Sequence, residues 1–163
     1  YNPVPEMTFS LAAGLNWKGI DFSILLQGAA RSSIYLQQDI AWDNFWGNYY
    51  EEHIGRWTPE TAATATYPRF TKAATPAHPN YYKSDYWLKD SKYLRLKNIQ
   101  LGYTIPRKLL KKFGVRSLRV YANAYNLFTW DNVKKVDPES SNNSNGQFYP
   151  QQKVINFGIN LNF

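Results

Sequence analysis

The last eleven residues of the chain alternate in character. Lys153, Ile155, Phe157, Ile159, Leu161 and Phe163 fall at one parity, and Val154, Asn156, Gly158, Asn160 and Asn162 at the other. Successive side chains of a strand point to opposite faces, so this segment wants hydrocarbon on one side and polar groups on the other. Two architectures meet that requirement. A strand crossing an outer membrane faces lipid outward and a polar lumen inward over roughly ten residues. A strand of a soluble sandwich faces a core and water. The rest of the chain has to separate them.

Aromatic residues make up 17% of the 163 residues (13 Tyr, 9 Phe and 6 Trp), yet the mean hydropathy is −0.55, so apolar side chains are dispersed among polar ones. Outer-membrane barrels have this composition, with aromatic girdles at both interfaces and no continuously apolar segment. No run approaches the roughly 18 apolar residues of a helical span. The absence of cysteine excludes disulfides and thiolate metal sites. Neither an initiator Met nor a leader precedes Tyr1, although an exported barrel requires a leader, so the expectation is a piece of something longer. A net charge of +7 and the cluster Arg107, Lys108, Lys111 and Lys112 raise the question of nucleic acid. No RNP, helix-turn-helix or zinc-finger pattern accompanies them, so the cluster reads as a solvated turn and no nucleic-acid partner is expected.

Five strands are predicted, over 7–17, 20–30, 92–105, 116–130 and 153–163. In the first, Phe9, Leu11, Ala13, Leu15 and Trp17 oppose Thr8, Ser10, Ala12, Gly14 and Asn16; in the second, Ile20, Phe22, Ile24 and Leu26 form the apolar face. Only Lys18 and Gly19 separate these two, the signature of a tight hairpin. The third sets Ile99, Leu101, Tyr103 and Ile105 against Asn98, Gln100, Gly102 and Thr104, and the fourth sets Leu118, Val120, Ala122 and Ala124 against Arg119, Tyr121, Asn123 and Tyr125. Unbroken alternation places Arg95 and Lys97 with Ile99 and Leu101, where they would meet lipopolysaccharide phosphates. Connections alternate short, long, short, long: 18–19, 31–91, 106–115 and 131–150. Barrels show short periplasmic turns and long extracellular loops, so 31–91 and 131–150 are expected outside the cell and the C-terminus in the periplasm. Five strands do not close a membrane barrel, so a remaining barrel segment must supply the rest.

The run Tyr93-Leu94-Arg95-Leu96-Lys97-Asn98-Ile99-Gln100-Leu101-Gly102-Tyr103-Thr104-Ile105-Pro106 is followed by Leu109-Leu110-Lys111-Lys112-Phe113-Gly114 and Ser117-Leu118-Arg119-Val120-Tyr121. Asn126-Leu127-Phe128-Thr129-Trp130, Val136-Asp137-Pro138-Glu139 and the terminal Asn156 to Phe163 complete the series. This ordered set resembles the C-terminal end of SusC/RagA-like TonB-linked outer-membrane proteins, strongly over 85–163 and more loosely over 7–70. The resemblance implies an all-β fold, the last five antiparallel strands of a plugged transmembrane barrel of about 22 strands, with the whole of 1–163 inside that barrel and the plug absent. It also implies a TonB-powered importer of glycans or peptides, with the TonB complex reached through an upstream segment and a SusD-like surface lipoprotein as lid. Outer-membrane lipid, lipopolysaccharide and the barrel-assembly machinery are the other implied partners, the last reading Phe163 and its strand.

Chemistry is expected to be binding rather than bond-making, with no catalytic residue, metal or cofactor. His53 and His78 lack ligand spacing and read as surface-loop histidines. Asp39 and Asp43 read as solvated loop carboxylates, and the oxygen-rich 137–145 stretch lacks calcium-loop spacing. The lumen-facing set is Asn98, Gln100, Arg119, Asn123, Asn156 and Asn160. The long loop carries many aromatics, which bury much area at low entropic cost. Trp42, Trp46, Trp57, Tyr86 and Trp87 are therefore candidates for lid or substrate contact, against the alternative that they pack on one another. A soluble carbohydrate-binding β-sandwich remains the rival fold and function.

Overall fold

The computed structural model describes residues 2–38, 41–45, 47–72, 75, 77–133, 136–140 and 150–163. They form two compact units, a sheet unit (Pro5–Arg31, Lys92–Asn132, Gln151–Phe163) and a connecting unit built mainly from Ser32–Ser91 and Val133–Pro150.

The sheet unit is an open, wholly antiparallel sheet. Its strands are β1 (Met7–Trp17), β2 (Ile20–Ala30), β5 (Tyr93–Thr104), β6 (Ser117–Asp131) and β7 (Val154–Asn162), in that spatial order. Lys18 and Gly19 both have positive φ (47° and 89°), the condition for a two-residue hairpin whose twist matches its strands. A side chain on Gly19 would also press on the Thr104 carbonyl.

Register turns single-strand alternation into two continuous faces. One row runs Leu15, Phe22, Leu101, Ala122, Phe157; the next residues along make the row Gly14, Ser23, Gln100, Asn123, Asn156. On the apolar face Phe157 is 82% exposed and Ile159 70%. Hydrocarbon in that quantity on one contiguous surface is far beyond what a soluble monomer normally leaves bare.

The alternation breaks once. Leu25 faces Asn98 but its neighbour Leu26 faces Leu96, so Lys97 is an extra residue bulged out of the ladder. On the other side β6 accommodates the shift at Asn126, which takes a positive φ of 51°. Beyond the bulge the parity of β5 reverses. Leu94 and Leu96 join the apolar face beside Trp130 and Phe128, while Arg95 pairs with Gln27 and Thr129 on the other face. The expected position of Arg95 among Ile99 and Leu101, and its lipopolysaccharide role, are overturned by this shift. Arg95 is buried, and its Nε donates to Thr129 Oγ1 at 2.9 Å.

The connecting unit has little regular structure: a three-residue pair, β3 (Ser33–Tyr35) with β4 (Leu88–Asp90), and short 3-10 turns. Its core is Ile34, Leu36, Ala41, Trp42, Tyr67, Tyr81, Trp87 and Val133. No helix among the described residues is long and apolar enough to cross a membrane, a criterion that says nothing of strands.

Candidate functional site

Asn98, Gln100, Arg119, Asn123, Asn156 and Asn160 all lie on the polar face of the sheet: Gln100, Asn123 and Asn156 in one row, Arg119 and Asn160 in another, and Asn98 opposite Tyr125. Asn98 Oδ1 and Asn123 Oδ1 are screened from solvent and make no protein hydrogen bond. Sequence reasoning missed Asp21. Arg119 reaches it across β5, its Nε and Nη2 donating to the two carboxylate oxygens at 2.9 and 2.5 Å. The crossing is possible because Gly102 lies beneath: a Cβ there would meet both Asp21 oxygens and Arg119 Nη2. The guanidinium also sits 4.8 Å from the Tyr121 ring centre, and Tyr121 in turn covers Gly158. A bidentate pair spanning three strands fixes their relative register. Its signal in the sequence was one acidic residue at an otherwise uncharged polar-face position of β2.

The aromatics of the connecting unit divide into two groups. Trp42 and Trp87 are core residues, each 3% exposed. Trp42 stacks on Tyr81 with ring centres 4.6 Å apart, and Trp87 Nε1 donates to the Asn80 carbonyl at 3.0 Å. They hold the unit together. Trp57 and Tyr86 keep 40% and 39% of their surface, flanking the same segment: the Trp57 amide donates to the Tyr67 carbonyl and Tyr86 OH to the Thr66 carbonyl. Trp46 and Asp39 lie outside the described residues, as do residues 141–149, which include most of the oxygen-rich stretch.

Asp43 is wholly buried rather than solvated. Its carboxylate accepts from Tyr81 OH, from Tyr67 OH at 3.4 Å and from the Thr71 amide at 2.9 Å. Tyr67 OH donates more closely to the Ala41 carbonyl at 2.8 Å. Burial, with the Asp43 charge beside them, pushes both phenols well above their ordinary range, so they stay protonated and act as donors. Burial, assisted by Glu52, pushes Tyr86 up to about 12. His53 is also buried, not a surface residue. Its Nδ1 accepts from the Tyr50 amide at 3.0 Å, so the proton sits on Nε2, 3.3 Å from the Ala41 carbonyl. No local pattern announced Asp43, whose partners lie 24 to 38 positions away.

This network satisfies buried polar groups and offers no nucleophile to a substrate. Among the described residues no group of three His, Cys, Asp or Glu side chains is placed to hold a metal. An open cleft of about 710 Å³ is lined by Arg69, Phe70, Thr71, Lys72, Thr75 and His78.

No protein-family model matches the chain. Over 99% of its length it is 29% identical to a TonB-dependent receptor of Formosa agariphila, covering 17% of that protein, and 25% identical to the TonB-dependent receptor SusC of Bacteroides thetaiotaomicron, covering 15%. The solved RagAB peptide importer in its open-open state superposes with a TM-score of 0.73 at 24% identity, over 98% of this chain and 17% of the importer chain. The chain spans less than a fifth of these relatives' length. The resemblance to the C-terminal part of SusC-like TonB-dependent receptors is thereby borne out, and the sheet has the fold of such a fragment. These relatives are receptors and an importer by name, not enzymes.

Proposed function

We propose that this chain is the C-terminal barrel portion of an outer-membrane importer that takes up nutrients with energy supplied through TonB. The observation that carries the reading is the two-faced sheet, with bare hydrocarbon on one side and amides, hydroxyls and an ion pair on the other. Edge strands β1 and β7 each have one neighbour among the described residues. In hydrocarbon an unpaired backbone group costs several kcal/mol, so both edges pair with strands of the remaining barrel, giving about 22 in all. The apolar face meets lipid. The polar face, with Asn98, Gln100, Arg119, Asn123, Asn156 and Asn160, lines the lumen or holds the plug. Residues 31–91 and 131–150 are extracellular, the C-terminus is periplasmic, and Phe163, 75% exposed at the end of β7, marks the strand for the assembly machinery.

Trp57 and Tyr86 supply the exposed aromatic surface for a SusD-like lipoprotein lid or for cargo. Cargo is an oligosaccharide, which suits aromatic faces and amide acceptors; a peptide is the competing arm, since one relative is described as a peptide importer. A soluble sandwich finds no support: the only other sheet among the described residues is the three-residue β3–β4 pair. Uptake of labelled oligosaccharides and labelled peptides by intact cells tests the reading. Transport of one class that stops when TonB is removed supports it; uptake indifferent to TonB contradicts it.

A further inference from the structure

Basic residues alone would make the β5–β6 connection a solvated turn, but the structure gives it an apolar side. Helix α1 (Arg107–Leu110) and the following Lys111–Phe113 turn are pinned by Leu110, 6% exposed, and end at Gly114 with φ of 69°. Leu109 and Phe113 project outward, 66% and 76% exposed. Around them stand Arg107, Lys108, Lys111, Lys112 and Arg116, with no acidic residue from 105 to 116. At the same end of the sheet the other short turn places Lys18 Nζ 4.9 Å from the Trp17 ring. The first apolar row that crosses all five strands at this end runs Trp17, Ile20, Tyr103, Val120, Ile159.

Solvation accounts for the cations but not for an exposed Phe and Leu four residues apart. An acidic phospholipid surface accounts for both, because basic amphipathic segments seat apolar side chains at the headgroup–acyl boundary and cations among phosphates. It is also continuous with the apolar face of the sheet. We infer that the 106–116 turn is a membrane-surface foot, with Leu109 and Phe113 entering the boundary region and its five cations binding phosphates of anionic phospholipid. This rests on reading the sheet as membrane-spanning.

The chain contains no cysteine; with any cysteine elsewhere in the intact protein replaced by Ser, spin labels are introduced singly at Phe113→Cys and Phe157→Cys. The intact protein is placed in nanodiscs of phosphatidylethanolamine, with and without phosphatidylglycerol, and its fold checked by heat-modifiable mobility. Label accessibility to oxygen and to a nickel chelate is then compared. With phosphatidylglycerol the Phe113 label is expected about 5–10 Å below the phosphate plane. It should move toward water in high salt and in the Lys108→Glu, Lys111→Glu, Lys112→Glu variant. A label open to the chelate in both lipids makes the turn merely solvated and overturns the inference. Shielding from both reagents in either lipid indicates a protein partner and overturns it too, and insertion indifferent to phosphatidylglycerol and salt overturns the phosphate contacts. The Phe157 label separates the two levels: if it is itself aqueous, the membrane reading fails; if it is lipid-exposed while Phe113 is not, only the foot is lost.

Discussion

The two units of this chain solve opposite solvent problems. The connecting unit hides Trp42, Trp87 and even the carboxylate of Asp43, whereas the sheet leaves Phe157 82% exposed. Both are rich in aromatics, so composition does not separate them; arrangement does. In the connecting unit the buried Asp43 and His53 find their hydrogen-bond partners inside the unit, as burial of polar groups requires. In the sheet, backbone groups are satisfied between strands and side chains are sorted by parity, the arrangement hydrocarbon demands. On the function proposed above, the first unit is suited to water and the second to lipid.

Four experiments probe that contrast. The largest expected effect is at Trp42: Trp42→Ala empties the stack on Tyr81 and should cost the connecting unit about 3–5 kcal/mol. Faster proteolysis within 32–91 should follow, while the sheet keeps its heat-modifiable mobility; equal loss in both units would mean that they are not independent. Next comes charge on the bare face. Phe157→Arg is expected to cost about 2–4 kcal/mol of folding into vesicles if it sits near the bilayer midplane. Ile54→Arg, at a position 76% exposed in the connecting unit, should stay within about 0.5 kcal/mol. Similar values at the two positions would erase the distinction.

A smaller effect is expected at Gly102→Ala, where a methyl group displaces the Asp21–Arg119 pair and the denaturant midpoint should fall. The drop should shrink in an Asp21→Ala background, because the displaced contact is already gone. Additive losses would assign Gly102 another role. The smallest effect is alkaline. Tyr67, Tyr81 and Tyr86 have folded-state values above the unfolded value of about 10, so they add stability that is complete below that pH and is lost as pH rises through the folded values. Phenolate absorbance should show Tyr86 ionising near 12, with loosening of the connecting unit confined to that range. Loss of this unit below pH 9, on the neutral side of the unfolded value of about 10, would contradict the buried-phenol network.

How much of this was legible in the sequence follows the same division. Period-two alternation announces β1, β2 and β7, since each strand reads its faces locally. The Lys97 bulge also left a trace: Leu94 and Leu96 fall at one parity and Ile99, Leu101 and Tyr103 at the other, a switch that requires an extra residue between them. Arg95 was misplaced because unbroken alternation ignores that switch. Arg119 was readable as a polar-face residue, yet its partner was not, because Asp21 is joined to it through a gap at Gly102 two strands away. In the connecting unit, Trp42, Asp43 and His53 carry no periodic signal, and their burial is decided by Tyr67 and Tyr81, distant in sequence. Exposed and buried aromatics, Trp57 against Trp87, look alike before folding.

The proposed function stands or falls on whether the apolar face of the sheet meets lipid. Its most direct test is a spin-label scan along β7, one cysteine at a time from Val154 to Asn162, in the intact protein in a bilayer. Accessibility of period two is expected, with oxygen favoured at Ile155, Phe157, Ile159 and Leu161 and not at Asn156, Gly158 and Asn160. Uniform access to the aqueous nickel chelate, or uniform shielding from both reagents, would contradict it.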